Sequence, residues 1–337
     1  MQLEEVRDGL RGFIRDEIGS GARLDALTES DGHAGLTFLF DIVEQGGARR
    51  SYVIKLPPRG VRRRGNTDVY RQAPLLRALK AEGLPVPDVP WAREDETNAW
   101  FALPFIIMER LPGHTFFVWD PAPGVPRERA VCERYWEQAV ETLARLHAFD
   151  WRRHLPDWEE PASLAHEITR WERIYAQAPE PDWVTAATAT EQALLESLPD
   201  GAPVGLFHGD YQPGNCLYDD GALCGVIDWE LSGIGAQLLD VGWLLMVADS
   251  SIWTPGWMPL HPIDSARIVG LYTSATGCDA ELIPWYQALA NYRLACIACL
   301  NVKLHRKGQR HDPIWENNGR SVMPMFQRAR ALVAGFG

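Results

Sequence analysis

The sequence of 337 residues predicts an α+β fold in two segregated parts, a first third rich in short strands and a remainder rich in long helices. Two observations carry that expectation. Up to about residue 110 the apolar residues fall in short extended runs with turn residues between them. Beyond Leu111-Pro112-Gly113 they recur at helical spacing over long stretches. Composition permits it: 46% hydrophobic and 23% charged residues give enough apolar surface to fold without disulfide or metal staples.

Taken in order, Leu3, Val6, Leu10, Phe13, Ile14 and Ile18 share one helical face and predict an amphipathic opening helix that packs on the first part. Residues 36–43 and 50–56, with Gly46-Gly47 between them, predict a hairpin. A helix over about 68–82 follows, then a Pro-rich connection at 84–90, then two further strands at 100–103 and 105–108. The second part opens with helices predicted over 129–148 and 164–177. No internal repeat or low-complexity tract interrupts it.

The formal charge of −12 and a pI near 5.3 argue against nucleic acid or an anionic membrane as partner, since both would repel such a surface. The one dense basic run, residues 59–64 with Arg62, Arg63 and Arg64 consecutive, reads as a solvated, mobile loop. Six scattered cysteines form no secreted framework, and no basic stretch followed by an apolar core marks an export signal, so a cytoplasmic protein is expected. Cys296 and Cys299 form a CxxC inside an apolar helical segment with no second ligand pair, which predicts core packing in place of zinc or redox chemistry. No stretch is long and apolar enough to span a bilayer.

Residues 206–218 carry the strongest local signal: His208-Gly209-Asp210, four residues, then Asn215, with Asp228 ending an apolar strand thirteen residues later. Phosphoryl transfer from a nucleotide asks for few covalent players and several well-placed charges. One carboxylate accepts the hydroxyl proton, while a carboxamide oxygen and a second carboxylate suit Mg²⁺ as hard ligands. Asp210, Asn215 and Asp228 supply that set.

In these motifs the sequence resembles the aminoglycoside phosphotransferase family, whose fold is protein-kinase-like. The resemblance implies a small antiparallel-sheet N-lobe over 1–108, a hinge over 109–113 and a larger, mainly helical C-lobe over 114–337. It also implies Asp210 as base, Asn215 and Asp228 as metal ligands, Lys55 on the nucleotide phosphates, Glu109 and Leu111 at the adenine, and Gly32 and His33 in the loop covering the nucleotide. His208 and Asp240 take structural roles in this reading. Lys55 lies in an apolar strand pattern in a chain with only three other lysines, so an edge-strand lysine facing water is the bland alternative. Gln72 stands where the family usually has a glutamate to pair with that lysine.

The implied activity is an ATP- and Mg²⁺-dependent kinase acting on the hydroxyl of a small molecule, with GTP as the other candidate donor. Aminoglycosides, macrolides, choline- or homoserine-type amines and hydroxyacyl compounds are the acceptor classes. A nucleotide-binding pseudokinase that regulates a partner is the rival from another class. Trp243, Trp253, Trp257, Trp285 and Trp315 could line a cage for a cationic substrate or simply pack a helical core.

Overall fold

Along residues 49–56 the side chains alternate: Tyr52, Ile54 and Leu56 are buried while Ser51, Val53 and Lys55 project from the other face. This strand is central in a five-stranded antiparallel sheet of order β1-β2-β3-β5-β4, with β1 Arg23–Glu29, β2 Leu36–Val43, β3 Arg49–Leu56, β4 Trp91–Arg93 and β5 Phe105–Glu109. The computed structural model describes residues 2–30, 36–63, 65–309 and 312–336, and the chain divides into two compact units.

The first unit comprises Met1–Gly113 together with Arg152–Trp158 and Cys224–Leu231. Helix α1 (Leu3–Phe13) ends in a π-helical turn and lays Val6, Leu10 and Phe13 on the core face of the sheet against Phe38, Phe40, Ile54 and Phe105. Phe13 meets Trp91, Trp100 and Phe105 edge-on at centroid distances of 5.4, 5.3 and 6.0 Å. Helix α2 (Gln72–Ala81) carries Pro74 in its first turn, where the missing N–H costs no helical bond. The two later segments are tied in by backbone and ring contacts: Val226 N–H donates to Pro85 O at 2.7 Å, and Trp158 Nε1 to Arg71 O at 2.8 Å.

Two expectations for this unit need correction. Residues 100–103 form a turn, with Asn98 Nδ2 bonded to Leu103 O at 2.7 Å and Ala102 at φ 51°; Trp100 packs on Phe13 and Phe101 on Phe105, with no strand ladder. The fourth strand is β4, and β1 went unpredicted because most of its residues are exposed. Nor is the basic run wholly solvated: Arg63 bonds Asp68 at 3.0 Å and Glu94 at 3.5 Å. Arg64 lies outside the described residues.

The second unit comprises His114–Trp151, Glu159–Leu223 and Ser232–Gly337. Its elements are β6 (His114–Thr115), α3 (Arg129–His147), α4 (Trp151–His154, whose last three residues belong to the first unit), α5 (Leu164–Thr169), α6 (Glu172–Tyr175), α7 (Pro181–Glu196), β7 (Val204–Phe207), β8 (Cys216–Asp219), β9 (Ala222–Val226, running on into the first unit), β10 (Gly233–Ala236), α8 (Leu239–Ala248), α9 (Ser265–Thr276), α10 (Ile283–Arg306) and α11 (Ile314–Ala334). The single helix expected over 164–177 breaks at Arg170-Trp171, where Arg170 caps α5 and Trp171 turns its ring onto the buried Arg293. Every residue of α8 is buried, and Gly242 lets it meet α10 backbone to backbone: a Cβ there would lie 2.7 Å from Gln287 N. Cys296 and Cys299 are buried on α10. No helix among the described residues is long and apolar enough to cross a membrane.

Candidate active site

Within the first unit, the central position of β3 excludes the edge-strand reading of Lys55, which pairs across the ladder with Thr37 on β2 and Ile106 on β5. Its side chain is 12% exposed, and Nζ lies 3.0 Å from Asp228 Oδ1. Burial opposes the ammonium, but the carboxylates of Asp228 and then Glu230 outweigh it and hold Lys55 above its ordinary value. Gln72 begins α2 and is 2% exposed; the carboxylate that grips Lys55 is that of Asp228. Asp228 has φ 67°, the left-handed region that costs a non-glycine residue energy and is tolerated where the surroundings dictate it.

Glu109 closes β5 with its N–H on Asp88 O at 2.9 Å, and Leu111 follows outside the sheet in the run to Gly113. Gly32 and His33 lie outside the described residues.

Within the second unit, β7 pairs antiparallel with β10 and delivers the chain at Phe207 into the loop that holds Asp210. Asp240, fully buried at the start of α8, accepts the backbone N–H groups of His208 at 2.6 Å and Gly209 at 2.8 Å. Its Oδ2 also lies 3.2 Å from His147 Nε2, whose Nδ1 is 2.7 Å from Tyr272 Oη. One buried carboxylate thus fixes the turn, with Gly209 at φ 87°. His208 Nδ1 accepts the N–H of Asp210 at 3.3 Å, an arrangement that organises the loop backbone. Tyr211 runs inward to bond Ala139 O at 2.8 Å.

The Asp210 carboxylate is gripped at both oxygens. Gln212 Nε2 donates to Oδ1 at 3.0 Å, and Asn215 Nδ2 donates to Oδ2 at 3.0 Å and to the Asp210 carbonyl at 2.8 Å. A 3₁₀ turn at Pro213–Asn215 brings Asn215 back to Asp210, and Asn215 N–H closes on Gln212 O at 2.9 Å. With Asn215 Nδ2 spent on Asp210, the chemistry left to its side chain is that of a carboxamide oxygen, a fit ligand for a hard cation.

Against these geometries the comparisons with known proteins are decisive. The family model described as "Phosphotransferase enzyme family" matches residues 31–260. The chain belongs to the phosphotransferase enzyme family. Among solved structures, this phosphotransferase-family chain is similar to a candidate aminoglycoside phosphotransferase of Ralstonia eutropha JMP134, at TM-score 0.75 and 22% identity over 98% of both chains. It is also similar to a thermostable mutant of aminoglycoside phosphotransferase APH(4)-Ia in complex with ADP and hygromycin B, at TM-score 0.62 and 16% identity over 97% of this chain and 98% of that one. Both share its kinase-like fold. Of curated proteins it resembles acyl-CoA dehydrogenase family member 11 of Gallus gallus, 28% identical over 239 residues, and family member 10 of Mus musculus, 25% identical over 244. The matches take in 69% and 70% of this chain but 29% and 22% of those proteins, so the chain spans less than a third of either.

Gln212 was not among the expected site residues, although it stands inside the motif, and neither were the contacts of His147 with Asp240 and Tyr272. The first had a signal, an amide two residues from the carboxylate; the second joins residues 93 and 125 positions apart with no local pattern. The tryptophan cage does not form as a set: Trp285 is buried on Ser197 Oγ and Trp243 faces Arg293, while Trp257 and Trp253 meet Trp119 at 6.0 and 4.9 Å.

Proposed function

We propose that this phosphotransferase-family chain is a kinase that moves the γ-phosphoryl group of ATP to a hydroxyl of a small molecule, with Mg²⁺. The grip of two side-chain amides on the Asp210 carboxylate, on a loop itself clamped by Asp240, carries the reading, because a base held in one orientation is what in-line transfer requires.

Asp210 orients the acceptor hydroxyl and takes its proton as the hydroxyl oxygen bonds to the γ-phosphorus and the bond to the ADP oxygen breaks. Lys55, kept charged by Asp228, neutralises the α- and β-phosphates. The carbonyl of Glu109 and the amide of Leu111 receive adenine, and Gly32 and His33 cover the phosphates. Asp228 and Asn215 hold Mg²⁺, which supplies charge neutralisation on the phosphates when bound. The abundance of ATP in the cytosol, and six cysteines without a secreted pattern, support a cytoplasmic reaction.

Two of the acceptor classes have support among the relatives. Fold neighbours solved with hygromycin B favour a hydroxylated antibiotic-like molecule, whereas the acyl-CoA dehydrogenase relatives favour a hydroxyacyl compound. ADP release from Mg²⁺-ATP, followed across aminoglycosides, macrolides, choline-like amines and hydroxyacyl-CoAs, separates them. Stimulation by one class that vanishes in Asp210→Ala is the expected result; nucleotide binding with no acceptor turned over would favour a pseudokinase.

A further inference from the structure

The amide of Gln212 can face Asp210 in one orientation alone. Turned over, its carbonyl oxygen would oppose a carboxylate oxygen, so the NH₂ group must lie toward Asp210 and Oε1 must point away. That oxygen is buried and has no hydrogen-bond partner among the described residues. Buried carbonyl acceptors are rarely left so, and one beside a reacting group asks for an explanation. Its surroundings are specific. A Cβ built on Gly214 would lie 3.4 Å from Gln212 Oε1 and 3.4 Å from Phe117 Cδ2, so the bare glycine leaves a space bordered by the oxygen on one side and the ring on another. Phe117 is only half-buried and continues into a wall of rings, 5.3 Å from Trp119 and 6.3 Å from Trp257.

Resting on the phosphotransferase reading above, we propose that Gln212 both positions Asp210 and reads the acceptor: Nε2 fixes the base, while Oε1 accepts a hydrogen bond from a second donor on the carbon next to the reacting hydroxyl. The acceptor is then a vicinal diol or a vicinal amino alcohol, lying with its carbon skeleton along Phe117 and Trp119. Phe117, half-buried beside Gly214, is the ring that turns aside as the acceptor enters. The same side chain links specificity to chemistry, because the amide that finds the second donor is the one that holds the base.

The test uses the whole chain with Mg²⁺-ATP and four small acceptors as probes: 1-propanol, 1,2-propanediol, 1-amino-2-propanol and 3-hydroxybutyrate. Wild type is expected to favour the diol or the amino alcohol over 1-propanol and 3-hydroxybutyrate by about tenfold in kcat/KM, the worth of one hydrogen bond. The diol and amino alcohol arms tell which donor is read. Gln212→Met should bring that preference close to unity. Gln212→Glu keeps an acceptor oxygen, so it should retain preference for the amino alcohol, while its second carboxylate moves the acid limb of the pH–rate profile to higher pH. Equal use of all four probes by wild type, a preference for 3-hydroxybutyrate, no stimulation above ATP hydrolysis, or a preference that survives in Gln212→Met would each overturn the assignment. Absence of any Mg²⁺-dependent ATP turnover in wild type would instead remove the phosphotransferase reading beneath it.

Discussion

The Asp240 carboxylate accepts the backbone N–H of Gly209 at 2.8 Å, so a buried charge at the start of α8 holds the turn that presents Asp210. With His208 N–H and His147 Nε2 on the same group, three donors converge on one carboxylate that water does not reach.

Removing that carboxylate leaves two backbone N–H groups buried without their acceptor. Asp240→Ala is expected to lower stability by about 3 kcal/mol and to abolish turnover, since breaking a buried charged network costs more than an ordinary hydrogen bond. Urea unfolding and ADP release measure the two effects. Asp240→Asn keeps one acceptor oxygen and should fall between Ala and wild type.

The ion pair of Lys55 and Asp228 predicts a pH dependence. The folded chain holds the Lys55 ammonium above 10.5, its ordinary value, so the stability this gives is fully present below 10.5 and is lost as pH rises through the folded value. The difference in urea midpoint between wild type and Lys55→Met should therefore stay constant from neutral pH up to 10.5 and narrow above it. A gap that widens on the alkaline side would contradict the direction of the shift.

Gly242 has no room for a methyl group against the α10 backbone at Tyr286 and Gln287. Because the obstacle is main chain, Gly242→Ala must push α8 and α10 apart, and a loss of about 1–3 kcal/mol is expected in thermal or urea unfolding. Gly270, on the open side of α9 with nothing near a built Cβ, should accept the same change with a small gain in stability.

These contrasts show which parts of the molecule local sequence can reveal. The loop that brings Asn215 back to Asp210 left a local trace, because a reaction of the proposed kind restricts both the residue types and their spacing along one loop. The paired strands β2 and β3 were legible from two short apolar runs around Gly46-Gly47, and α3 from its helical periodicity. Trp100 was misread because an apolar run reads alike whether it joins a ladder or forms a turn that packs on Phe13. The hold of Asp240 on His147 depends on contacts far apart in sequence, and the orphaned oxygen of Gln212 depends on the way its amide turns toward Asp210. Neither leaves a periodic trace. Asp228 joins Lys55 in the first unit although it lies deep in the helical part of the sequence, because Cys224–Leu231 returns to the sheet-bearing unit.

The proposed kinase needs a Mg²⁺-dependent nucleotide site in which Asp228 binds and Asp210 reacts. Its most direct test is the thermal shift of wild type, Asp210→Ala and Asp228→Ala with ATP, GTP and a non-hydrolysable ATP analogue, each with and without Mg²⁺, since ligand bound to the folded state raises the melting point. Wild type and Asp210→Ala should show the same Mg²⁺-dependent rise and Asp228→Ala should lose it. A rise that persists undiminished in Asp228→Ala, or no rise in wild type at millimolar nucleotide, would contradict the proposed site.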